Sequence, residues 1–432
     1  MAMVVKNNMS ALSTLNTLNK NTTALSKSLQ KVSSGMKINS AADDASGYAI
    51  SERMRVQIRS LDQANSNAQN GGSMMKVAEG AVSSTVEILK TLKEKAVNAA
   101  NDTNTDADRA TIQKEMDQSI DQINDNANVT FNGQYLVDGS KNKKVDQTTT
   151  AMTNQSLSTS TGSDAALTTL KARNGDSLNI HSTDTVTVSY VRDGKTYTKS
   201  TQVGTKTLGN VISSLTSGAV TVRSTSSKIG LDSSLNTVNT ASGQSAITIA
   251  SNTSGINGQI AGFTMYITDN KGNVNKSANA ALDAFDETIR AQNKSEDNSI
   301  VMQVGTKAGQ SIKVGLTDMK AQALGLQGKN GETLSIGNQE KANAAINVLD
   351  SAIQKALDQQ TTIGAVESRL EYTQSNLTTA SENVTAAEST IRDADMAKEM
   401  TEYTKNNVLM QAAQSMLAQA NQSSSNALSL LQ

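Results

Sequence analysis

Two apolar lines run through the N-terminal stretch from Val4 to Met36, each repeating every seven residues. One passes through Val4, Ala11, Leu18, Leu25 and Val32, the other through Leu15, Thr22, Leu29 and Met36. A strict seven-residue repeat lays a narrow apolar seam along a helix that packs against another helix. At 1.5 Å per residue the stretch makes a rod of roughly 50 Å, too long and too narrow-faced to hide in a small core. It needs partner helices. The first forty residues carry Lys6, Lys20, Lys27, Lys31 and Lys37 and no acid, so the partner should be mildly acidic. Between Glu388 and Gln432 five acids stand against three bases, which places that partner at the other end of the chain.

The helical pattern continues past Gly35. Ser40 with Asp43 fits a box that opens a helix, and a second seam then passes through Met54, Leu61, Ala68, Met75, Val82, Leu89 and Ala96, locally weakened at Gly71 and Gly72. The polar run Asn101 to Asp108 reads as a turn. Ile112, Met116, Ile120 and Ile123 mark a shorter helix that stops near Phe131-Asn132-Gly133.

From about 140 to 280 the period falls towards two. Val186, Val188 and Tyr190 alternate with polar neighbours up to Asp193-Gly194, and Tyr197 and Val203 lie on the return, a hairpin signal. Further strands are expected at Ala246 to Ala250 and Phe263 to Thr268, with a short helix at Leu208 to Leu215. The other reading of this Ser/Thr-rich region is a poorly ordered spacer. Helix is expected again over Ala280 to Ala291, then a small hairpin through Ile300, Met302, Val304 and Ile312, Val314, Leu316. From Lys341 the heptads resume through Ala342, Leu349, Ala356, Ile363, Leu370, Leu377, Val384 and Ile391. They continue with softer residues through Met396, Tyr403, Met410 and Leu417.

The expected fold is therefore mainly helical with a β-rich insertion: antiparallel coiled-coil-like rods from both termini, a small hairpin and a central outgrowth. Three domains follow. Residues 1–40 join 395–432, residues 41–140 join 285–394 with the hairpin 299–316, and residues 141–284 form the β-rich surface domain. The alternative is two unrelated coiled coils, each dimerising alone.

Composition supports long helices. The 432 residues include no Pro, Cys or Trp, and an internal Pro would cost a helix roughly 3 kcal/mol. A net charge of −1 gives no basic field for nucleic acid. The apolar opening Met1 to Val5 ends at Lys6, well short of a secretory leader, and no run reaches membrane-span length.

Chemistry is hard to place on this chain. With His181 as the single histidine and no cysteine, His triads, zinc motifs and thiol nucleophiles are excluded. The best calcium-loop likeness, Asp102, Asn104 and Asp106, has Ala107 where the loop needs Gly and Gln113 where it needs Glu. Asp43 and Asp44 suit a helix start better than a metal. Met54, Met75, Met400 and Met410 read as adaptable packing rather than copper ligands. Neither enzyme activity nor a cofactor is expected.

These segments, taken together, resemble bacterial flagellins over about residues 1 to 140 and 285 to 432. At the N-terminal side the likeness rests on Ser33-Ser34-Gly35-Met36-Lys37-Ile38-Asn39-Ser40, on Asp43-Asp44-Ala45 with Gly47, Ala49 and Ile50, and on Thr130-Phe131-Asn132-Gly133. At the C-terminal side it rests on Val304-Gly305 to Gly309-Gln310, Ala321 to Leu326, Ser368-Arg369-Leu370-Glu371, Asn383 to Glu388, Ile391-Arg392-Asp393 to Met400, and Leu417-Ala418-Gln419-Ala420-Asn421-Gln422.

The resemblance implies an extracellular subunit of the flagellar filament, a helical homopolymer that drives swimming. Terminal helices would line an inner tube, the second rods and the hairpin would surround it, and the β-rich centre would face solvent. It implies export without a cleaved signal peptide through the flagellar secretion apparatus, hook-associated and cap proteins as neighbours, and no nucleic-acid or membrane partner. The self-assembly seam is assigned to Val4, Leu15, Leu18, Leu25, Leu29, Val32, Met396, Tyr403, Met410 and Leu417. An export chaperone would grip the last helix at Met410, Met416, Leu417 and Leu428. Alignment through Glu94 and Ala96-Val97 places Thr91 and Lys95 where flagellins sensed by the innate receptor carry Arg and Leu, with Glu115 matching the usual Glu. Weak receptor activation is expected, because Thr91 supplies no bidentate cation. The tail also departs from the family, with Ser423-Ser424-Ser425 after Asn421-Gln422 and Gln432 at the end. A flagellin-like hook-filament junction protein and a coiled-coil surface adhesin are the competing readings.

Overall fold

The computed structural model describes residues 8–429. In chain order the first rod is α1 (Met9–Ser34), opened by Asn8, whose side chain accepts from the Ala11 amide, and closed by Gly35 at φ 70°. The second is α2 (Ala45–Ala99), unbroken through Gly71 and Gly72. Its start lies later than the Ser40 box suggests. Asp43 Oδ2 accepts from the Asn39 and Ser40 amides within the turn, while Asp44 Oδ1 accepts from the Ser46 and Gly47 amides and caps the helix. α3 (Asp106–Ala127) opens on a reciprocal box of Thr105 and Asp108. The polar stretch that resembles a calcium loop is thus committed to ending one helix and starting another. Arg109 ties it down, donating to the carbonyls of Ala99 at 2.9 Å and Asn101 at 3.1 Å.

A tight hairpin of β1 (Thr130–Phe131) and β2 (Gln134–Tyr135) turns at Asn132 and Gly133, both at positive φ. There follow β3 (Ala151–Asn154), β4 (Thr185–Arg192), β5 (Lys195–Gln202), α4 (Leu208–Leu215), β6 (Val220–Ser226), β7 (Lys228–Leu231), β8 (Thr237–Asn239), β9 (Ala246–Ser251), β10 (Ile260–Thr268), α5 (Lys276–Leu282) and β11 (Phe285–Ile289). The chain ends with β12 (Ile300–Gln303), β13 (Ser311–Val314), α6 (Ala321–Leu324), α7 (Gln339–Arg392) and α8 (Met396–Ser429).

These elements form two compact units. The first takes in the chain up to Ala68, the hairpin tip Gln303–Gln310 and the chain from Tyr372 onward. Within it α1 runs antiparallel to α8, and α2 runs antiparallel to α7 with no slip. Arg55 meets Glu388 at 3.1 Å, and Asp62, seven residues later, meets Ser381, seven residues earlier, at 3.0 Å.

The second unit comprises Gln69–Met302 and Ser311–Glu371. Here the heptad lines are fully buried. Met75, Val82, Leu89 and Ala96 on α2 and Ala342, Leu349, Ala356 and Ile363 on α7 all have no exposed surface. Gly71 packs against the hairpin, since a Cβ there would fall 2.4 Å from Met302 Sδ.

The Ser/Thr-rich centre is a packed β domain, which overturns the spacer alternative. One sheet has the order β10-β4-β5 and the other β11-β3-β9-β6, every pair antiparallel. Val186, Val188 and Tyr190, spaced by two, point into a core shared with Leu208, Ile212, Ile247, Ile249, Phe263, Met265 and Ile267. The ring pairs Tyr190–Tyr197 and Phe263–Phe285 stand with centroids 5.1 and 5.0 Å apart. The helix expected over Ala280 to Ala291 is a correction: α5 stops at Leu282 and Phe285–Ile289 is a strand paired with β3. The sheet therefore crosses the domain boundary expected at 284. Pairing with Asn154 and Met152 overrides the helix propensity of the alanines.

Candidate assembly interface

The terminal seam divides into two faces. On the inner face α1 meets α8 through Asn8 to the Ala420 carbonyl (3.2 Å), Asn21 to the Leu409 carbonyl (3.1 Å), Asn406 to Ser28 Oγ (3.0 Å) and Lys31 to Glu399 (3.6 Å). Leu18, Leu25 and Val32 are half-buried there, as are Tyr403, Met410 and Leu417, and Ala413 is buried. The Lys31–Glu399 pair answers the charge asymmetry of the two ends.

Leu15 and Leu29, assigned with these residues to one seam, lie on the outer face at 41% and 52% exposure, beside Leu12. On α8 the outer face carries Met400, Val408, Leu409 and Met416, while Met396, in line with Tyr403 and Met410, is exposed at the helix start. Val4 lies outside the described residues, and so does the side chain of Leu428. Of the segment assigned to an export chaperone, Met416 is the exposed member and Met410 and Leu417 face α1.

Both terminal pairs turn at one place, which sequence reasoning left unassigned. The Lys37 amide donates to the Arg392 carbonyl at 2.7 Å and the Ala394 amide to the Gly35 carbonyl at 2.9 Å, a backbone clasp between the two elbows. The Arg392 side chain is buried beneath it, 2.6 Å from Glu52 Oε1 and 5.4 Å over the Tyr48 ring. The guanidinium hydrogen bond holds the Glu52 carboxyl below the usual carboxylate range. The sequence carried only a faint signal for this site, an Arg next to Ile391 of the seven-residue line near the end of the helix.

In the second unit Thr91 is exposed and gives its hydroxyl to the Glu87 carbonyl at 3.1 Å. Lys95 and Glu115 are joined by an ion pair of 2.7 Å. The structure thus brings two of the three receptor-segment residues together and leaves Thr91 free of both. Among the described residues no group of acids and histidines is placed to hold a metal ion.

Two family descriptions match this chain: the bacterial flagellin N-terminal helical region over residues 5–142 and the C-terminal helical region over residues 346–431. The flagellin of Clostridium tyrobutyricum is 37% identical over 97% of this chain and 99% of its own length. That of Bacillus subtilis (strain 168) is 32% identical over 99% of this chain and 100% of its own. The chain belongs to the flagellin family. The flagellar filament 33 kDa core protein of Treponema phagedenis is 28% identical over 99% of this chain. Among solved structures, FliC from Burkholderia pseudomallei (19% identical, 69% of this chain and 99% of that one, TM-score 0.26) is matched too distantly to bear on the fold. So is the flagellar junction protein FlgL from Legionella pneumophila (16%, 79% and 99%, TM-score 0.33). As a flagellin the chain is a structural subunit that polymerises into the flagellar filament used for swimming. The heptad arms that fold as paired rods are the parts the two family descriptions match, and the β domain lies between them.

Proposed function

We propose that the two faces of the α1–α8 pair divide the labour of assembly. The inner face, through Leu18, Leu25, Val32, Tyr403, Met410 and Leu417, pairs the chain's own ends. The outer face, through Leu12, Leu15, Leu29, Met400, Val408, Leu409 and Met416, is buried by neighbouring copies. The observation that carries this is the exposure of that outer stripe in the single chain. Large apolar side chains grouped along one helical face mark an interaction surface, and a heterologous contact repeated from copy to copy builds a helical polymer. Met396, at the start of α8, lies on the line of Tyr403 and Met410 but is left exposed where the helix begins.

In this reading residues 1–40 and 395–432 form the inner tube, 41–140 and 285–394 form the shell apart from strand Phe285–Ile289, which joins the β-rich sheet, and the β-rich region forms the outer surface. In keeping with a purely structural role, the protein has no enzymatic activity and needs no cofactor. It leaves the cell through the flagellar secretion apparatus, held until then by a chaperone on α8 around Met410, Met416, Leu417 and Leu428. Hook-associated and cap proteins are its neighbours at the filament's ends. Among the described residues no helix is long and apolar enough to cross a membrane. Receptor recognition is weak, because Thr91 carries no charge and Lys95 is already paired with Glu115.

Electron microscopy of the purified chain incubated with short filament seeds tests the reading. The intact chain should extend the seeds into long tubes, and a version lacking roughly the first and last forty residues should not, because the seams that need partners are then gone. Discrete small particles from both would overturn it.

A further inference from the structure

The described methionines of this chain range from fully buried to well exposed. Met75, Met116, Met152, Met265, Met302 and Met319 are buried in the second unit. Among the described residues, those exposed beyond 40% are Met9 on α1 (68%) and Met396 (43%), Met400 (45%) and Met416 (61%) on α8. All four lie on the terminal helix pair. Met400 shares its shallow surface groove with Val408 and Leu409, on the face turned away from the α1 contact. The chain has no cysteine, so no thiol of its own competes for an oxidant. Thioether oxidation follows exposure and converts a flexible apolar side chain into a polar one.

We propose that Met9, Met396, Met400 and Met416 are oxidation sites through which a two-electron oxidant such as hydrogen peroxide reversibly blocks assembly of the free chain, while the assembled filament protects them. The proposal rests on the reading of the outer face as the contact between copies. In the step itself a sulfur lone pair attacks one peroxide oxygen. An S–O bond forms and the O–O bond breaks. The sulfur is oxidised by two electrons, and the departing hydroxide takes the proton left on the transferred oxygen, giving one water. The sulfoxide oxygen is a strong acceptor that would be buried without a donor between copies, and an unpaired buried polar group opposes association. A methionine sulfoxide reductase reverses the change.

The test uses the full-length chain, as monomer and as seeded filament, treated with hydrogen peroxide and mapped by peptide mass spectrometry. In the monomer the four exposed methionines should oxidise ahead of Met75 and Met116, and in the filament they should react at least about tenfold more slowly. The oxidised monomer should extend seeds at least about tenfold more slowly, the factor that 1.4 kcal/mol represents. Treatment with the two sulfoxide reductases should restore the rate, and a Met9→Leu/Met396→Leu/Met400→Leu/Met416→Leu chain should extend seeds equally before and after peroxide. Oxidised monomer that extends seeds at the untreated rate would overturn the proposal, as would equal oxidation in monomer and filament. Untreated wild-type chain that fails to extend seeds would instead overturn the filament-contact reading beneath it.

Discussion

Arg392 at the end of α7 reaches Glu52 on α2 at 2.6 Å, and the same residue's carbonyl accepts the Lys37 amide at 2.7 Å. One residue thereby fixes both the side-chain and the backbone side of the double elbow. Arg392→Ala removes a buried guanidinium lying over the Tyr48 ring together with a charge-assisted bond, and should cost about 2 kcal/mol. Glu52→Gln should cost less, because Glu52 stands half in solvent and leaves the stacking intact. Arg392→Lys should rescue poorly, since an ammonium cannot lie flat on the ring while bonding sideways. Denaturant midpoints followed by far-ultraviolet circular dichroism check this order, and equal losses in all three variants would refute it.

Gly194 is held by more than its turn. Asp193 and Gly194 both take positive φ in the β4–β5 hairpin, as a two-residue turn requires. A Cβ on Gly194 would also fall 2.2 Å from the Glu332 carbonyl oxygen, and the Lys329 amide donates to Asp193 Oδ1 at 2.6 Å. Because the obstacle is backbone, Gly194→Ala should destabilise by about 3 kcal/mol or more. Asn in its place tolerates the φ but meets the same carbonyl, and should do no better. A thermal midpoint unchanged from wild type would remove the close approach from the account.

Much of this was legible in the sequence, and the parts that were not share a cause. Heptads located the rods because seven-residue spacing survives whatever the partner is, as Leu61 to Ala96 and Ala342 to Leu370 attest. Asp193-Gly194 announced its hairpin because few residues accept that backbone. Periodicity does not say which side of a helix finds its partner inside the same chain, so Leu15 and Leu29 read as companions of Leu18 and Leu25 although they point outward. The region after Leu282 failed for another reason: Ala284 and Ala291 favour helix, and only the distant strand Ala151–Asn154 makes Phe285–Ile289 extended. Long-range partners also explain the buried pair of Lys355 on α7 and Glu287 on β11, 3.3 Å apart.

Asp283 gives the fold a pH dependence opposite to that of most carboxylates. Although much of the residue is exposed, its carboxyl turns towards the Met265 backbone and Asn347, and burial pushes it up to about 6. The folded state thus prefers the protonated acid. Its contribution is fully present below the ordinary value of 3.8 and is lost as pH rises through about 6. Asp283→Asn should leave stability near pH 4 unchanged and raise it at pH 8 by about 1 kcal/mol, a figure reduced for solvent screening. Urea midpoints for both chains across that range provide the check, and parallel curves would show that the carboxyl does not titrate as stated.

Leu29 separates folding from assembly. At 52% exposure it contributes little to its own chain, so Leu29→Ser should change monomer stability by less than about 0.5 kcal/mol. Ala413, at 6% exposure on the inner face, behaves oppositely: Ala413→Glu places a charge between α1 and α8 and should loosen that pair before any neighbour arrives. In a seeded elongation assay both variants should fail, but only Ala413→Glu should also lose helical signal as a monomer. If Leu29→Ser extends seeds normally, the outer stripe is not a subunit contact.

Thr91 offers the sharpest test of the receptor reading, because the change is a gain. Its neighbour Lys95 is engaged with Glu115, so neither offers a free bidentate cation to a partner. Thr91→Arg adds a planar guanidinium at an exposed position of α2, where Arg fits the helix as well as Thr does. A cation that pairs a carboxylate or carbonyl across an interface is worth about 1.5–3 kcal/mol, so the half-maximal dose in a receptor reporter assay should fall by roughly tenfold or more. Lys95→Leu combined with it should lower the dose further by replacing a paired charge with an apolar contact. A wild-type chain that already signals at full strength would show that Thr91 was never the obstacle.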